Sequence, residues 1–273
     1  MGRLGRSWQL LKTSLHVLRQ DKELILLPIL SFVSAVIILA SFIGGLFFTG
    51  ILFTFSWVLI IGLLLMYLLL YFVIIFFNTA VIACANIRLN GGDPTISDGI
   101  KVARQHLKKI VFWSLISATI GVILQAARER TGMFGRIIVG IIGFAWTTIT
   151  FFVIPVLIYE DKGMWESMKR SGHLFRETWG ETIVGELSFG LFFFLLAIIG
   201  FIPIALGVLT GNFYFVILGV IAAALFWVIL GAVASALNGI FVAALYNYAT
   251  KGKLPEPYDP NLLPQIQPPA ANI

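Results

Sequence analysis

Two stretches of the chain, Leu24 to Ile87 and Leu187 to Thr250, contain no Asp, Glu, Lys or Arg, and each is 64 residues long. A water-soluble fold has to turn some of so many consecutive positions toward solvent. A bilayer lifts that demand and imposes another: every backbone N–H and C=O must pair internally, which for these runs means helices. One span takes roughly 20 apolar residues, so each stretch predicts two spans joined by a tight turn.

The remaining sequence supplies two more. Six helices are expected, at about 24–47, 52–86, 110–127, 137–159, 182–208 and 213–249. Breaker residues mark the turns: Gly44-Gly45 through Thr49-Gly50, Arg128 to Gly135, and Thr210-Gly211-Asn212. The second span is long enough to tilt or to project beyond the hydrocarbon. Pro155 and Pro203 should bend their helices, and Pro28 suits a first turn. Composition agrees, with 59% hydrophobic and 12% charged residues against about 25% charged in soluble domains. The single cysteine, Cys84, has no intramolecular partner and reads as a small packing residue. The opening does not read as a cleaved signal peptide, because its apolar run exceeds a signal's hydrophobic region.

The formal charge of +6 reflects topology rather than nucleic-acid binding. Of 19 basic residues, 16 fall before span one, between spans two and three, between four and five, or after six. The other side holds only Arg128, Arg130 and Arg136. The positive-inside rule then places both termini in the cytoplasm, and hence the chain in the cytoplasmic (inner) membrane.

A shift of 157 residues overlays the start on the last third. Trp8 meets Trp165, Lys12 meets Lys169, Ser14 meets Ser171, His16 meets His173 and Arg19 meets Arg176, with Leu30-Ser31-Phe32 on Leu187-Ser188-Phe189. A middle copy is weaker: His106 and Ser114 lie 8 residues apart where the outer copies have 15. Such a deletion of about two helical turns keeps the face. Each unit, about 1–90, 91–160 and 161–250, then reads as a cytoplasmic amphipathic helix followed by a two-span hairpin.

Those three helices have legible stripes. Leu4, Trp8, Leu11, Leu15 and Leu18 line the first; Ile96, Ile100, Ala103, Leu107 and Ile110 the second; Trp165, Met168, Gly172, Phe175 and Trp179 the third. Thr95 with Asp98 resembles a capping box before the second. An apolar stripe beside Lys12, Arg19, Lys101, Arg104, Lys169 and Arg176 suits contact with the headgroups of an anionic inner leaflet. The alternative is packing against the ends of the spans. Residues 251–273 hold six of the ten prolines and read as a disordered, Pro-rich cytoplasmic tail.

Polar residues inside spans are the default functional hypothesis in a membrane protein. Here they are Asn78 and Asn86, Gln125, Glu186, Asn238 and Asn247. Asn86 and Asn247 can cap carbonyls or bond a neighbouring helix. Asn78, Asn238 and Glu186 are candidates for a polar path, with interhelical hydrogen bonding as the alternative. Glu186 could also reach Arg176 or Lys169. His16, His106 and His173 are more naturally interfacial than zinc ligands, because no Cys or carboxylate accompanies them at metal spacing. Gly231, Ser235 and Gly239 form a small-xxx-small face for a partner helix. No metalloprotease, hydrolase or P-loop signature occurs, and no catalytic residue, cofactor or metal is implied.

The opening Ser7-Trp8, Ser14-Leu15, Leu18 to Leu24 and Leu27-Pro28-Ile29-Leu30-Ser31 resembles a family of bacterial and archaeal integral membrane proteins of unknown function. The resemblance implies similarity over most of the chain apart from the tail. The helix-before-hairpin pattern is similar to the membrane domain found beside glycerophosphodiester phosphodiesterases; without a soluble catalytic domain, that activity is not carried over. The expectation is therefore an all-α polytopic bundle: a single integral membrane domain, 1–250, followed by the tail. Its expected role is a non-enzymatic structural or accessory membrane component. The competing reading is a transporter or channel for a small or lipid-like solute.

Overall fold

The computed structural model describes residues 3–53, 56–259 and 262–263. They form helices α1 (Arg3–Gln20), α2 (Glu23–Phe48), α3 (Trp57–Leu89), α4 (Ile96–Gln105), α5 (Leu107–Arg130), α6 (Met133–Thr150), α7 (Val153–Tyr159), α8 (Met164–Ile199), α9 (Ile202–Leu209) and α10 (Phe213–Lys251). A short 3-10 turn lies at Ile51–Phe53, and no strand occurs among the described residues. Six segments among them are long and apolar enough to cross a membrane: Glu23–Phe48, Trp57–Leu89, Leu107–Arg130, Met133–Tyr159, Thr182–Leu209 and Phe213–Lys251. This is the pattern of a multi-pass membrane protein.

Proline explains the two interrupted segments. Its ring clashes with the carbonyl four residues back, and it donates no hydrogen bond. α6 ends at Thr150, just short of the residue Pro155 would clash with; α8 ends at Ile199, four residues before Pro203. Gly44 and Gly45, expected in a turn, are helical, and α2 runs on to Phe48. The third amphipathic segment is not a separate helix either, since α8 runs unbroken from Met164 into the span. Nothing from Met164 to Ile199 is a proline that would stop it.

The longest helices exceed a hydrocarbon layer. The 33 residues of α3 and 39 of α10 extend about 50 and 58 Å at 1.5 Å per residue, against roughly 30 Å of lipid core. In both, the large exposed apolar side chains stop early, at Ile74 and Ile229. The turns beyond are packed, with 79–85 and 239–249 buried throughout.

By contacts the chain divides into two compact units. The first combines Met1–Ile29, Cys84–Thr95 and Glu177–Ile273. In it α1 and α9 each pack on α10, around Leu10, Val17, Leu24, Leu27, Leu237, Ile240 and Leu245. A Cβ added to Gly207 or Gly219 would strike backbone of the facing helix, so α9 and α10 approach as closely as glycine permits. The small face expected at Gly231, Ser235 and Gly239 is not that seam. Gly231 and Ser235 are exposed, and a Cβ at Gly231 meets nothing. The close approach comes at Gly219, about three turns before Gly231, where α9 is folded back by Pro203.

The second unit combines Leu30–Ala83 and Ile96–Arg176. Here α5 packs on α4 and α6, and Trp113 stacks on Trp146 with centroids 5.8 Å apart. Phe152, Val153, Val156 and Leu174 are fully buried.

The packed faces differ from the expected stripes. α1 buries Leu10, Leu11, Ser14, Val17 and Leu18, while Trp8 is exposed. α8 buries Ser167, Ser171, Leu174, Phe175 and Thr178, while Trp165 and Trp179 are exposed. In α4–α5, Gly99, Ala103 and Ile110 are buried and Leu107 is exposed. Small and hydroxylic residues pack closely, with the hydroxyls of Ser14, Ser167 and Ser171 bonded to nearby backbone, whereas Trp tolerates a wet edge.

Candidate functional site

The ends of α3 and α10 in the first unit carry matched polar side chains. Asn86 and Asn90 are one helical turn apart, as are Asn247 and Lys251, so each pair lies on one face. Asn247 Nδ2 donates to Asn86 Oδ1 at 2.6 Å and to the Ala243 carbonyl at 2.9 Å. Asn90 Nδ2 donates to the Asn86 carbonyl at 2.6 Å, and Lys251 Nζ to Asn90 Oδ1 at 2.8 Å. Both helices end on a left-handed glycine, Gly91 (φ 84°) and Gly252 (φ 77°). After α3, the Gly91 N–H reaches the Arg88 carbonyl and the Gly92 N–H the Ile87 carbonyl, which closes the free carbonyls of the last turn.

Arg88 anchors the same region. Its Nε lies 3.0 Å from Asp21 Oδ2, and its Nη1 lies 3.4 Å from Asp93 Oδ1. Nη1 also donates to the Gly92 carbonyl at 3.3 Å. Burial pushes the Asp21 carboxyl up, and the Arg88 charge pulls it partly back. Beside this pair opens a cleft of about 450 Å³ lined by Gln20, Arg88, Asn90, Gly91, Glu256 and Pro257, among others.

The segment expected to be a disordered tail supplies part of that wall. Of residues 251–273, the structure describes 251–259 and 262–263; the rest lie outside the described residues. Leu254, Tyr258, Leu262 and Leu263 are buried. The Tyr258 hydroxyl sits 2.7 Å from Ser14 Oγ, which donates its own proton to the Leu10 carbonyl at 2.9 Å. Burial lifts the Tyr258 phenol above the ordinary tyrosine range.

Within the spans of the first unit, Asn238 Nδ2 donates to Glu186 Oε1 at 3.0 Å. These two residues of the expected polar path are brought together, and each is half-buried. Glu186 bonds Asn238 rather than Arg176 or Lys169, both of which are exposed. Asn78 belongs to the second unit and is half-buried there. Gln125 Nε2 donates to Glu129 Oε1 at 2.6 Å.

In the second unit, Lys109 Nζ lies 2.6 Å from Asp161 Oδ1. That hydrogen bond and charge hold the Asp161 carboxyl below its ordinary value. Arg170 and Lys162 both reach Glu160. Ser171 Oγ accepts the Phe152 N–H at 2.9 Å, an N–H at the break between α6 and α7. A small apolar hollow near Thr79, His106 and Trp113 holds about 10 Å³, room for one water at most.

The expected interface residues Trp8, Lys12, Arg19, Lys101, Arg104, Trp165, Lys169, Arg176 and Trp179 are all exposed. Lys12 Nζ lies 5.5 Å from the Trp8 ring centre. Among the described residues no three His, Cys, Asp or Glu side chains converge as a metal site. The sequence reading missed the Asp21–Arg88 pair and the Tyr258 contact. The signal that could have found the amide ladder is the recurrence of Asn86 and Asn90-Gly91 as Asn247 and Lys251-Gly252, 161 residues on.

No curated protein matches the chain. The model of a family of unknown function, DUF6159, matches residues 57–255. The opening residues that carry the resemblance to an uncharacterised membrane family, 7–31, precede that match. From Trp57 to Pro255, and so over most of its length, the chain belongs to the family of unknown function DUF6159.

Proposed function

We propose that this protein is a non-enzymatic structural or accessory component of the cytoplasmic membrane, with six spans and both termini in the cytoplasm. The observation that carries the reading is the pairing of polar groups on the spanning helices, both within the bundle and at their packed ends. Glu186 is bonded by Asn238, and Asn86 by Asn247. A solute path needs polar groups free to exchange partners; groups bonded to one another rigidify a bundle.

The charge asymmetry supports the orientation: 16 of 19 basic residues fall on one side of the six spans. The exposed basic residues Lys12, Arg19, Lys101, Arg104, Lys169 and Arg176 then face the cytoplasm and its anionic lipids. An ancestral repeat is supported by burial as well as identity. In the 157-residue register, Ser14 and Ser171 are both buried, while Trp8, Lys12, His16 and Arg19 are exposed like Trp165, Lys169, His173 and Arg176. The pattern likened to the membrane domain beside glycerophosphodiester phosphodiesterases contributes architecture alone.

Proteoliposomes test the role. Vesicles carrying the protein should take up amino acids, sugars, nucleosides and ions no faster than empty ones; an uptake abolished by Glu186→Leu overturns the reading. Reporter fusions at Arg130 and Gly211 test orientation and should report from outside the cytoplasm.

A further inference from the structure

We propose that the cleft between the end of α1, the end of α3 and the segment after α10 binds a small soluble zwitterion of the α-amino acid class. The cleft holds about 450 Å³, within the usual range for small-molecule sites and ample for an amino acid. Its lining carries Arg88 and Glu256, which form no ion pair with each other. Arg88 is held by Asp21 through Nε and reaches Asp93 through Nη1, which leaves Nη2, among the described residues, as a spare donor in a fixed guanidinium. A guanidinium held in place is suited to a ligand carboxylate. Glu256 lies on the same lining and is exposed. Among the described residues it makes no hydrogen bond or ion pair, so its carboxylate is available to a ligand ammonium. Gln20 and Asn90 add amides to the lining.

Position argues for a soluble ligand over a lipid headgroup. The last large apolar side chain exposed on α3 is Ile74, and Arg88 lies 14 residues further along the helix, about 21 Å at 1.5 Å per residue. Headgroups add only about 6 Å to each side of the hydrocarbon.

The test is calorimetric titration of the full chain in detergent with L-alanine, L-serine and L-glutamine, beside N-acetyl-L-alanine, L-alaninamide and phosphoethanolamine. At least one amino acid should bind, and blocking either of its charges should weaken binding about tenfold to a hundredfold, the worth of a charged hydrogen bond. Glu256→Gln, a change at an exposed side chain, should weaken it by a similar factor without moving Tm. Arg88→Lys is expected to keep a charge beside Asp21 yet lose the Nη2 donor and the binding. Silence from all three amino acids overturns the proposal, as do equal binding of the blocked analogues and indifference to Glu256→Gln. Binding of phosphoethanolamine alone assigns the cleft to a headgroup and overturns the soluble ligand. None of these outcomes bears on solute flux, so the structural reading stands or falls separately.

Discussion

Ser14 on α1 and Tyr258 after α10 share a hydrogen bond of 2.7 Å, and both side chains are almost fully buried. The two residues are not equivalent in it. Ser14 donates to the Leu10 carbonyl, so its oxygen accepts from Tyr258. Removing the Tyr258 hydroxyl leaves Ser14 satisfied; removing Ser14 leaves a buried phenol with no acceptor. An unpaired buried donor costs about 1–3 kcal/mol, whereas a typical net hydrogen bond is worth about 1 kcal/mol. Ser14→Ala should therefore destabilise more than Tyr258→Phe, and the double variant should recover part of the Ser14→Ala loss. Thermal unfolding in detergent measures the order; equal losses would contradict the assigned direction.

The register partner of Ser14, Ser171, accepts the Phe152 N–H at 2.9 Å. That N–H stands at the α6–α7 break, two residues outside the last turn of α6, where Pro155 prevents a continuous helix. Ser171→Ala removes this acceptor from a buried site and should cost about 1 kcal/mol, the net worth of a typical hydrogen bond. Ser171→Thr keeps the acceptor and should cost less. The difference between the two midpoints isolates the hydrogen bond from the packing.

These contacts show where sequence reading succeeds and where it stops. The spans are legible because 64 uncharged residues in a row admit few solutions, and the breaks near Pro155 and Pro203 follow from proline's missing N–H. The docked segment after α10 was illegible because six prolines dominate its composition. The decisive signal is local: Leu254, Tyr258 and Leu262 recur every fourth residue and are buried. The rotated face of α1 escaped notice for a related reason. Apolar spacing put Trp8 on one stripe with Leu11 and Leu18, but the packed face is set by a hydrogen bond to Ser14 from a residue 244 positions away, which is invisible to any local period. The Glu186–Asn238 pair was half legible, as two rare polar residues whose partnership only the packing reveals.

The Asp21–Arg88 pair gives a pH signature. Asp21 is raised above its ordinary value of 3.8, first by burial, with Arg88 as the opposing charge. A carboxyl raised in the folded state brings no penalty below its unfolded pKa. The penalty grows as pH rises through the folded pKa and is complete above it. Arg88→Ala removes the compensating charge and should enlarge that penalty. A quarter of the Arg88 side chain is exposed, so the loss should be about 2 kcal/mol at pH 7, below the 3–5 of a fully buried pair. It should shrink as pH falls toward 4. Unfolding midpoints at pH 4 and pH 7 compare the two, and an equal loss at both would remove Asp21 as its cause. Asp21→Asn/Arg88→Ala should lack the pH dependence.

Two glycines of one helix separate close packing from composition. At Gly219 an added Cβ meets the Pro203 carbonyl and the Ile204 backbone of α9, which cannot swing aside as a side chain would. At Gly231, three turns further along α10, it meets nothing. Gly219→Ala should cost about 1–3 kcal/mol by overpacking. Gly231→Ala should be neutral or stabilise by up to about 1 kcal/mol, the helix preference of alanine over glycine. Thermal midpoints in detergent test the contrast, and a destabilising Gly231→Ala would place a second helix against that face.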